Sequence, residues 1–130
     1  MNADERAIRD VVNLWHKATA AGDVDTVLGL MTDDVVFLVA GRPPMRGRDE
    51  FERGLRGLLA QHRIDSRSEI RQIEVSGTLA YCWSTLSVRV VPISGGTATN
   101  RAGDALSMLR KQANGSWQVA RDANLLVESR

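Results

Sequence analysis

The sequence predicts an α+β fold in which helices pack against one face of a curved antiparallel sheet. Apolar residues recur at helical spacing in the first half of the chain, and from Ile64 onward the apolar spacing changes to two. Two glycine turns, Ser94-Gly95-Gly96 and Asn114-Gly115, indicate hairpins in the second half. Helices first and an antiparallel meander afterwards are typical of this fold class.

Three helices are predicted ahead of the meander. The first covers about Asp4–Ala21, where apolar residues recur every three or four positions, and Gly22 ends it. Asp23 is a suitable N-cap for a short second helix. The third helix covers about Asp49–His62, with Phe51 and three leucines on its apolar side.

Five strands are predicted. Val35–Val39 is an unbroken apolar run rich in β-branched residues, which favours a strand between the Thr32–Asp34 turn and Pro43-Pro44. Four longer segments with alternating pattern follow. They cover about Ser66–Val75, Leu79–Val91, Thr97–Lys111 and Trp117–Val127.

The composition is that of a globular protein and indicates one domain over residues 1–130, with 43% hydrophobic and 25% charged residues. The one cysteine, Cys82, excludes an internal disulfide and fits a reducing compartment. Met1–Ala21 lacks the apolar core of a signal peptide, and no run approaches the ~18 apolar residues of a membrane span. We therefore expect a cytoplasmic protein without a membrane partner.

The charge pattern does not favour nucleic-acid binding. The net charge is +1, and eight arginines lie in the stretch Arg42–Arg71, which is one mark of a nucleic-acid face. These arginines alternate with acids such as Asp49 and Glu69, as on a solvated helix, and no aromatic ladder accompanies them. No nucleic-acid partner is expected.

Two stretches of the chain resemble the nuclear transport factor 2-like superfamily, which includes ketosteroid isomerases and SnoaL-like polyketide cyclases. They are "AAGDVDTVLGLMTDDVVFLVAGRPPMRGRDEF" and the closing "NGSWQVARDANLLVES". The resemblance implies a cone-shaped, cystatin-like fold in which three N-terminal helices and a curved sheet enclose one pocket. It also implies a dimer formed through the other face of the sheet.

The catalytic positions of ketosteroid isomerases are not kept in this chain. Those enzymes use an Asp base together with a Tyr and a protonated Asp. Carried over one at a time, the base falls at about Val39, the Tyr on Trp15 and the protonated Asp near Ser107. Valine cannot take a proton, and an indole N–H is a weaker donor than a phenol. The resemblance therefore implies a pocket without the usual isomerase machinery.

Strand alternation separates the residues that share a face, and the resemblance assigns one set to the pocket. The predicted inward residues are Trp15, Phe37, Val39, Trp83, Thr85, Ser87, Arg101, Gly103, Ala105, Ser107, Gln118, Ala120, Asp122 and Asn124. Of these, the predicted contacts with a small hydrophobic ligand are Trp15, Phe37, Val39, Trp83, Thr85, Arg101 and Ser107. Cys82, Trp117 and Val119 are predicted to face away from the pocket.

Asp122 is the predicted catalytic group, with Asn124 beside it. Next to Trp15 and Trp83 the carboxyl group would be desolvated and its pKa raised, as a general acid or base at neutral pH requires. Asn124 or Arg101 would orient a carbonyl or stabilise an enolate oxygen. The alternative is a satisfied polar cluster that holds the strands in register, with both tryptophans packed in the core.

No metal or cofactor is expected. His16 lies off the apolar side of the first helix and is predicted on the surface, whereas His62 is predicted to interact with the negative end of the third helix. Neither histidine has a second ligand at metal-binding spacing. Cys82 is predicted to be a buried, inert thiol.

Three functions remain open at this point. The first is a cofactor-independent isomerase- or cyclase-like enzyme acting on a polyketide- or steroid-like carbonyl compound. The second is a non-catalytic module that binds a hydrophobic metabolite, and the third is a dimerising scaffold. Leu79, Tyr81, Trp117 and Val119 are predicted to form an apolar patch on the outer sheet face, which favours a homodimer through that face.

Overall fold

The computed structural model describes residues 2–129, and within them the chain forms three helices and seven strands. The helices are α1 (Ala3–Ala21), α2 (Val24–Leu28) and α3 (Gly47–Leu59). The strands are β1 (Met31–Val39), β2 (Met45–Arg46), β3 (His62–Ser76), β4 (Leu79–Pro92), β5 (Thr99–Lys111), β6 (Trp117–Asn124) and β7 (Val127–Glu128). None of the described helices is long and apolar enough to cross a membrane.

The helix ends follow local signals in the sequence. Gly22 ends α1 in the left-handed region at φ 73°, where glycine is favoured, and the Asp23 carboxylate caps α2 by accepting from the Thr26 amide (3.2 Å). The third helix stops at Leu59, three residues before the predicted end. His62 begins β3 instead, and its Nδ1 donates to the Leu58 carbonyl at the end of α3 (3.2 Å), which confirms its predicted position.

The strands form one curved sheet in the order β2-β1-β6-β5-β4-β3, with β7 on β5. The pairs from β3 to β6 are antiparallel, whereas β1 joins β6 in parallel. The predicted Thr32–Asp34 turn lies inside β1, at a register shift between Met31 and Val36. The predicted fold class, helices on a curved and mainly antiparallel sheet, is confirmed.

A one-residue bulge interrupts the alternation of β6. Leu109 of β5 pairs with Val119, but the adjacent Met108 pairs with Arg121. Ala120 is therefore an extra residue in β6. Odd-numbered residues face the inner side before it, and even-numbered residues face the inner side after it.

The bulge places both ends of β6 on the inner face. Trp117 and Val119 are 2% and 6% exposed, and Asp122 faces the same side beyond the bulge. The predicted unbroken alternation is therefore wrong for Gln118, whose amide donates to the Gly29 carbonyl at the sheet edge (3.0 Å). The predicted outer patch is wrong for Trp117 and Val119, because both belong to the core.

The beginning of α1 is held against the sheet by Asp4. The Trp117 indole Nε1 donates to Asp4 Oδ1 (3.1 Å), which also accepts from Lys111 Nζ (3.0 Å). One turn further along α1, the Ile8 side chain is fully buried. The apolar core between the helices and the sheet begins at this contact and extends towards the other end of the molecule.

Replacing Ile8 with alanine is expected to lower the free energy of unfolding by about 2–5 kcal/mol, because the side chain is fully buried. Leu14 on the same helix is 41% exposed, so Leu14→Ala is a matched control expected to cost only about 0.5 kcal/mol. Urea denaturation followed by circular dichroism measures both values. Equal losses would contradict this placement of α1.

Candidate functional site

The helices and the inner face of the sheet enclose a cavity of about 280 Å³. Its lining comes from α1, α3, the strands β1, β2, β4, β5 and β6, and Leu126 between β6 and β7. Most of the lining side chains are aliphatic or aromatic. A cavity of this kind with a few polar groups is the usual form of a small-molecule site.

Three aromatic rings form one wall of the cavity. The Phe37 and Phe51 rings are stacked with centroids 4.6 Å apart, and the Trp15 ring lies 6.0 Å from the first and 5.7 Å from the second. Val39 continues this wall along β1. Trp15, Phe37 and Val39 thus lie where they were predicted. The sequence assigned Phe51 only to the apolar side of the third helix. Helical spacing does not distinguish a side chain packed in the core from one that lines a cavity.

A polar group lies on the sheet side of the cavity. Ser107 of β5 pairs across the strands with Asp122 of β6, and Ser107 Oγ donates to Asp122 Oδ1 (2.5 Å). Asn124 also lines the cavity, and its buried Oδ1 accepts no hydrogen bond from any residue in the 2–129 range. The Asn124 amide therefore keeps a hydrogen-bonding atom for a ligand.

Burial raises the pKa of Asp122 above its ordinary value of 3.8. The hydrogen bond from Ser107 lowers this pKa, but the effect of burial is larger. The cause is the apolar surroundings, which penalise the charged carboxylate more than the neutral acid. Asp122 therefore keeps its proton to higher pH than an exposed aspartate does.

His16 lines the cavity, so its predicted surface position is wrong. Its Nδ1 lies 2.7 Å from Ser66 Oγ and its Nε2 lies 2.9 Å from Ser68 Oγ, because β3 covers this side of α1. Burial lowers the pKa of His16, which keeps the ring neutral at pH 7. The two serines alternate with charged residues on β3. From this pattern the sequence could have predicted that small polar side chains of β3 face inward and contact a polar group there.

The predicted facing of β4 is wrong. Cys82 pairs with the inward Ser107, and directly paired residues of antiparallel strands share a face, so the even-numbered residues of β4 line the cavity. Trp83 is 41% exposed on the outer face, where its Nε1 donates to Asp104 Oδ1 (3.0 Å). Thr85 lies on the outer face as well and does not line the cavity.

The sequence contained a signal for the correct phase of β4. Small and apolar residues recur at Ala80, Cys82, Leu86 and Val88, whereas the intervening positions are more polar or aromatic. Cys82 is buried, and burial raises the pKa of its thiol to about 11, so it stays protonated at neutral pH. Within the described chain, no three His, Cys, Asp or Glu side chains form a metal site.

Arg101 does not line the cavity, which corrects its predicted contact with a ligand. Its guanidinium Nη2 donates to the Leu126 carbonyl (3.0 Å). The chain after β6 passes over β5 at the neighbouring Gly103, and Leu126 lines the cavity there whereas Arg101 does not. Strand alternation describes only neighbouring residues of one strand, so it could not predict this contact between two segments 25 residues apart.

A cavity between helices and the inner face of a curved sheet is the architecture of a class of small pocket-containing domains. The chain belongs to the SnoaL-like domain family, which it matches over residues 12–119. The resemblance found in the sequence is therefore confirmed, as is the nuclear transport factor 2-like fold.

Solved structures share this fold. A conserved protein from Planctomyces limnophilus is 40% identical, with a TM-score of 0.94 and 98% of each chain covered. A ketosteroid isomerase-like protein from Erwinia carotovora is 27% identical over 96% of this chain and 98% of that one, with a TM-score of 0.81. A hexachlorocyclohexane dehydrochlorinase from Novosphingobium barchaimii is 14% identical over 98% and 89% of the chains, with a TM-score of 0.82, and shows the fold alone. No protein of curated function matches the chain.

The wild-type protein is expected to lose stability relative to the Asp122→Asn variant as the pH rises above about 4. The folded-state pKa of Asp122 is raised by burial, so below the ordinary pKa of 3.8 both states are protonated and the carboxyl group carries no penalty. Above it, the penalty grows by about 1.4 kcal/mol for each pH unit until the folded-state pKa is passed. Urea denaturation of both proteins between about pH 4 and pH 8 measures the difference.

Asp34 supplies a control with the opposite sign. The hydrogen bond from Thr32 lowers the pKa of Asp34, so the advantage of the wild type over Asp34→Asn is present above the ordinary pKa and shrinks as the pH falls. A pH-independent difference between the wild type and Asp122→Asn would contradict the burial of the Asp122 carboxyl group.

Proposed function

We propose that the cavity binds a small, uncharged and mainly apolar carbonyl compound, and that Asp122 exchanges a proton with it without a cofactor. The observation that supports this proposal is a single carboxyl group with a raised pKa on the wall of an apolar cavity. Such a group is suited to general acid–base catalysis near neutral pH.

The size and charge of the cavity support this class of ligand. A cavity of about 150 Å³ holds one benzene molecule, and the 280 Å³ found here is about twice that size. One or two rings of a polyketide- or steroid-like compound therefore fit inside. No lysine or arginine from the described part of the chain lines the cavity, so an anionic group would be buried there without a counter-charge.

Proton transfer next to a carbonyl group suits the polar side chains in the cavity. In the ionised form, an Asp122 oxygen takes a proton from the carbon beside the carbonyl group, so that a C–H bond breaks and an O–H bond forms. The electron pair moves to the carbonyl oxygen and gives an enolate, and the proposed donor to this oxygen is the NH₂ group of Asn124 on the cavity wall. In a ketone with a double bond between the β and γ carbons, return of the proton to the γ carbon moves the double bond next to the carbonyl group and completes an isomerisation.

A non-catalytic binding function is the alternative, and a specific observation favours it. The resemblance carries the three isomerase groups to Trp15, to about Val39 and to near Ser107, and these residues supply an aromatic or aliphatic wall and one hydroxyl group. Such a cavity binds an apolar metabolite without needing a base. Native mass spectrometry of the purified protein, beside a denatured sample, identifies any compound that copurifies.

Deuterium exchange distinguishes the two functions. The wild type is incubated with 1-indanone and 1-tetralone, which are two-ring ketones, in D₂O, and deuterium at the carbon beside the carbonyl group is followed by NMR. We expect acceleration of about 10²-fold or more over buffer, since general acid–base catalysis typically contributes that much. Asp122→Asn is expected to reduce exchange to the rate in buffer while ketone binding persists.

Asp104→Asn is the matched control, because Asp104 lies on the same sheet but on the outer face, where it accepts from Trp83. It is expected to keep the wild-type exchange rate. Ketone binding without accelerated exchange would overturn the catalytic part of the proposal and support the binding function. The absence of binding as well would overturn both.

We also propose that the protein forms a homodimer through the outer face of the sheet. Leu38, Ala123, Leu106 and Trp83 pair in succession across β1, β6, β5 and β4 and form an outer apolar row. The leucines are 47% and 44% exposed and the tryptophan is 41% exposed. Asp104 precedes and Met108 follows Leu106 on the same face, so the row has a partly polar border, as dimer interfaces do.

Light scattering at micromolar concentration is expected to give about twice the 14.3 kDa mass of one chain. Leu106→Asp places a charge in the outer apolar row and is expected to give a monomer, because burying an unpaired carboxylate is costly. Leu14→Asp, which changes an exposed leucine on α1, is expected to keep the dimer. A monomeric wild type would contradict the proposed interface.

A further inference from the structure

The chain after β6 crosses β5 at an unusually close distance. A Cβ atom at Gly103 would lie 2.5 Å from the Leu125 carbonyl oxygen and 3.2 Å from the Leu126 Cα. No side chain other than hydrogen fits between these two segments, since real Cβ contacts at 2.5 Å are essentially absent. Gly103 is therefore required for this crossing, because the backbone of one segment passes directly over its Cα.

Three further contacts hold the crossing segment on β5. The Leu125 amide donates to the Asp104 carbonyl (2.8 Å), and Arg101 Nη2 donates to the Leu126 carbonyl (3.0 Å). Beyond them, β7 pairs with β5 at Arg101 and Ala102. The C-terminal segment, residues 125–128, is thus fixed on both sides of Gly103.

The C-terminal segment puts one side chain into the cavity. Leu126 is 5% exposed and lines the cavity, whereas Leu125 and Val127 on either side of it are each 67% exposed. Inward positions on β5 run Leu109, Ser107, Ala105 and then Gly103, and Leu126 lies over the last of them. It therefore fills the space that a larger residue at Gly103 would have filled.

We propose that Leu126 sets the maximum length of the ligand, and that Gly103 and Arg101 are positioning residues that hold it at the end of the cavity. This inference rests on the proposed function, because it concerns the same cavity. The Leu126 backbone is four residues from Asp122, which corresponds to about 13 Å along an extended chain. A ligand whose carbonyl group lies at Asp122 and whose chain extends along β6 therefore meets the Leu126 side chain on the cavity wall.

A series of para-alkylacetophenones, with alkyl chains from methyl to hexyl, tests this inference by isothermal titration calorimetry. For the wild type, affinity is expected to rise about fourfold with each methylene until the chain reaches Leu126, and then to fall. In Leu126→Ala the optimum is expected to move to chains longer by about two or three carbons, because the substitution removes that much of the end wall. Leu125→Ala, an exposed leucine in the same segment, is expected to keep the wild-type optimum.

The outcomes separate this inference from the proposed function. An unchanged optimum in Leu126→Ala, or an equal change in both variants, overturns the role of Leu126 while the proposed ligand class stands. If the wild type binds no member of the series, the proposed ligand class fails and the role of Leu126 fails with it.

A second variant tests the positioning by Gly103. Gly103→Ala is expected to displace the C-terminal segment, so that the Leu125 amide exchanges with D₂O faster and the longest acetophenones bind as well as they do to Leu126→Ala. Gly57→Ala is the control, because a Cβ there has no atom within 4 Å. Wild-type exchange at Leu125 together with the wild-type length optimum in Gly103→Ala would overturn the positioning role.

Discussion

The candidate site depends on the bulge at Ala120. Without the extra residue, strict alternation along β6 would place either Trp117 and Val119 or Asp122 and Asn124 on the inner face, but not both pairs. The bulge brings both pairs inside, so one strand closes the end of the core and also carries the carboxyl group of the cavity. Bulges often occur beside functional sites because they re-aim a side chain in this way.

The second constraint is the balance between burial and hydrogen bonding inside the cavity. Asp122 has one close donor, Ser107, and this hydrogen bond does not offset the cost of desolvating a carboxylate. His16 is buried as well, and the same physical effect keeps it neutral rather than charged. Burial therefore shifts both groups towards their neutral forms within the apolar wall.

Family membership and chemistry are separate conclusions for this protein. The chain belongs to the SnoaL-like family, and the same fold occurs in a ketosteroid isomerase-like protein and in a dehydrochlorinase. A fold shared by such different proteins does not determine the reaction. The particular side chains in the cavity decide the chemistry, and here they are a carboxyl group, an amide, a neutral imidazole and hydroxyl groups within an apolar wall to which Leu126 contributes.

The amino-acid sequence by itself determined the helices, the meander and the second half of β1, because local periodicity and turn chemistry act over a few residues. Through the resemblance to a known fold, the sequence also predicted that Asp122, Trp15, Phe37 and Val39 point into the cavity. Only the tertiary structure decided which face each long strand presents, since a single bulge or a shift of one residue reverses every side chain. For the same reason, the outward position of Trp83, the inward position of His16 and the insertion of Leu126 became visible only in the pairing of distant segments.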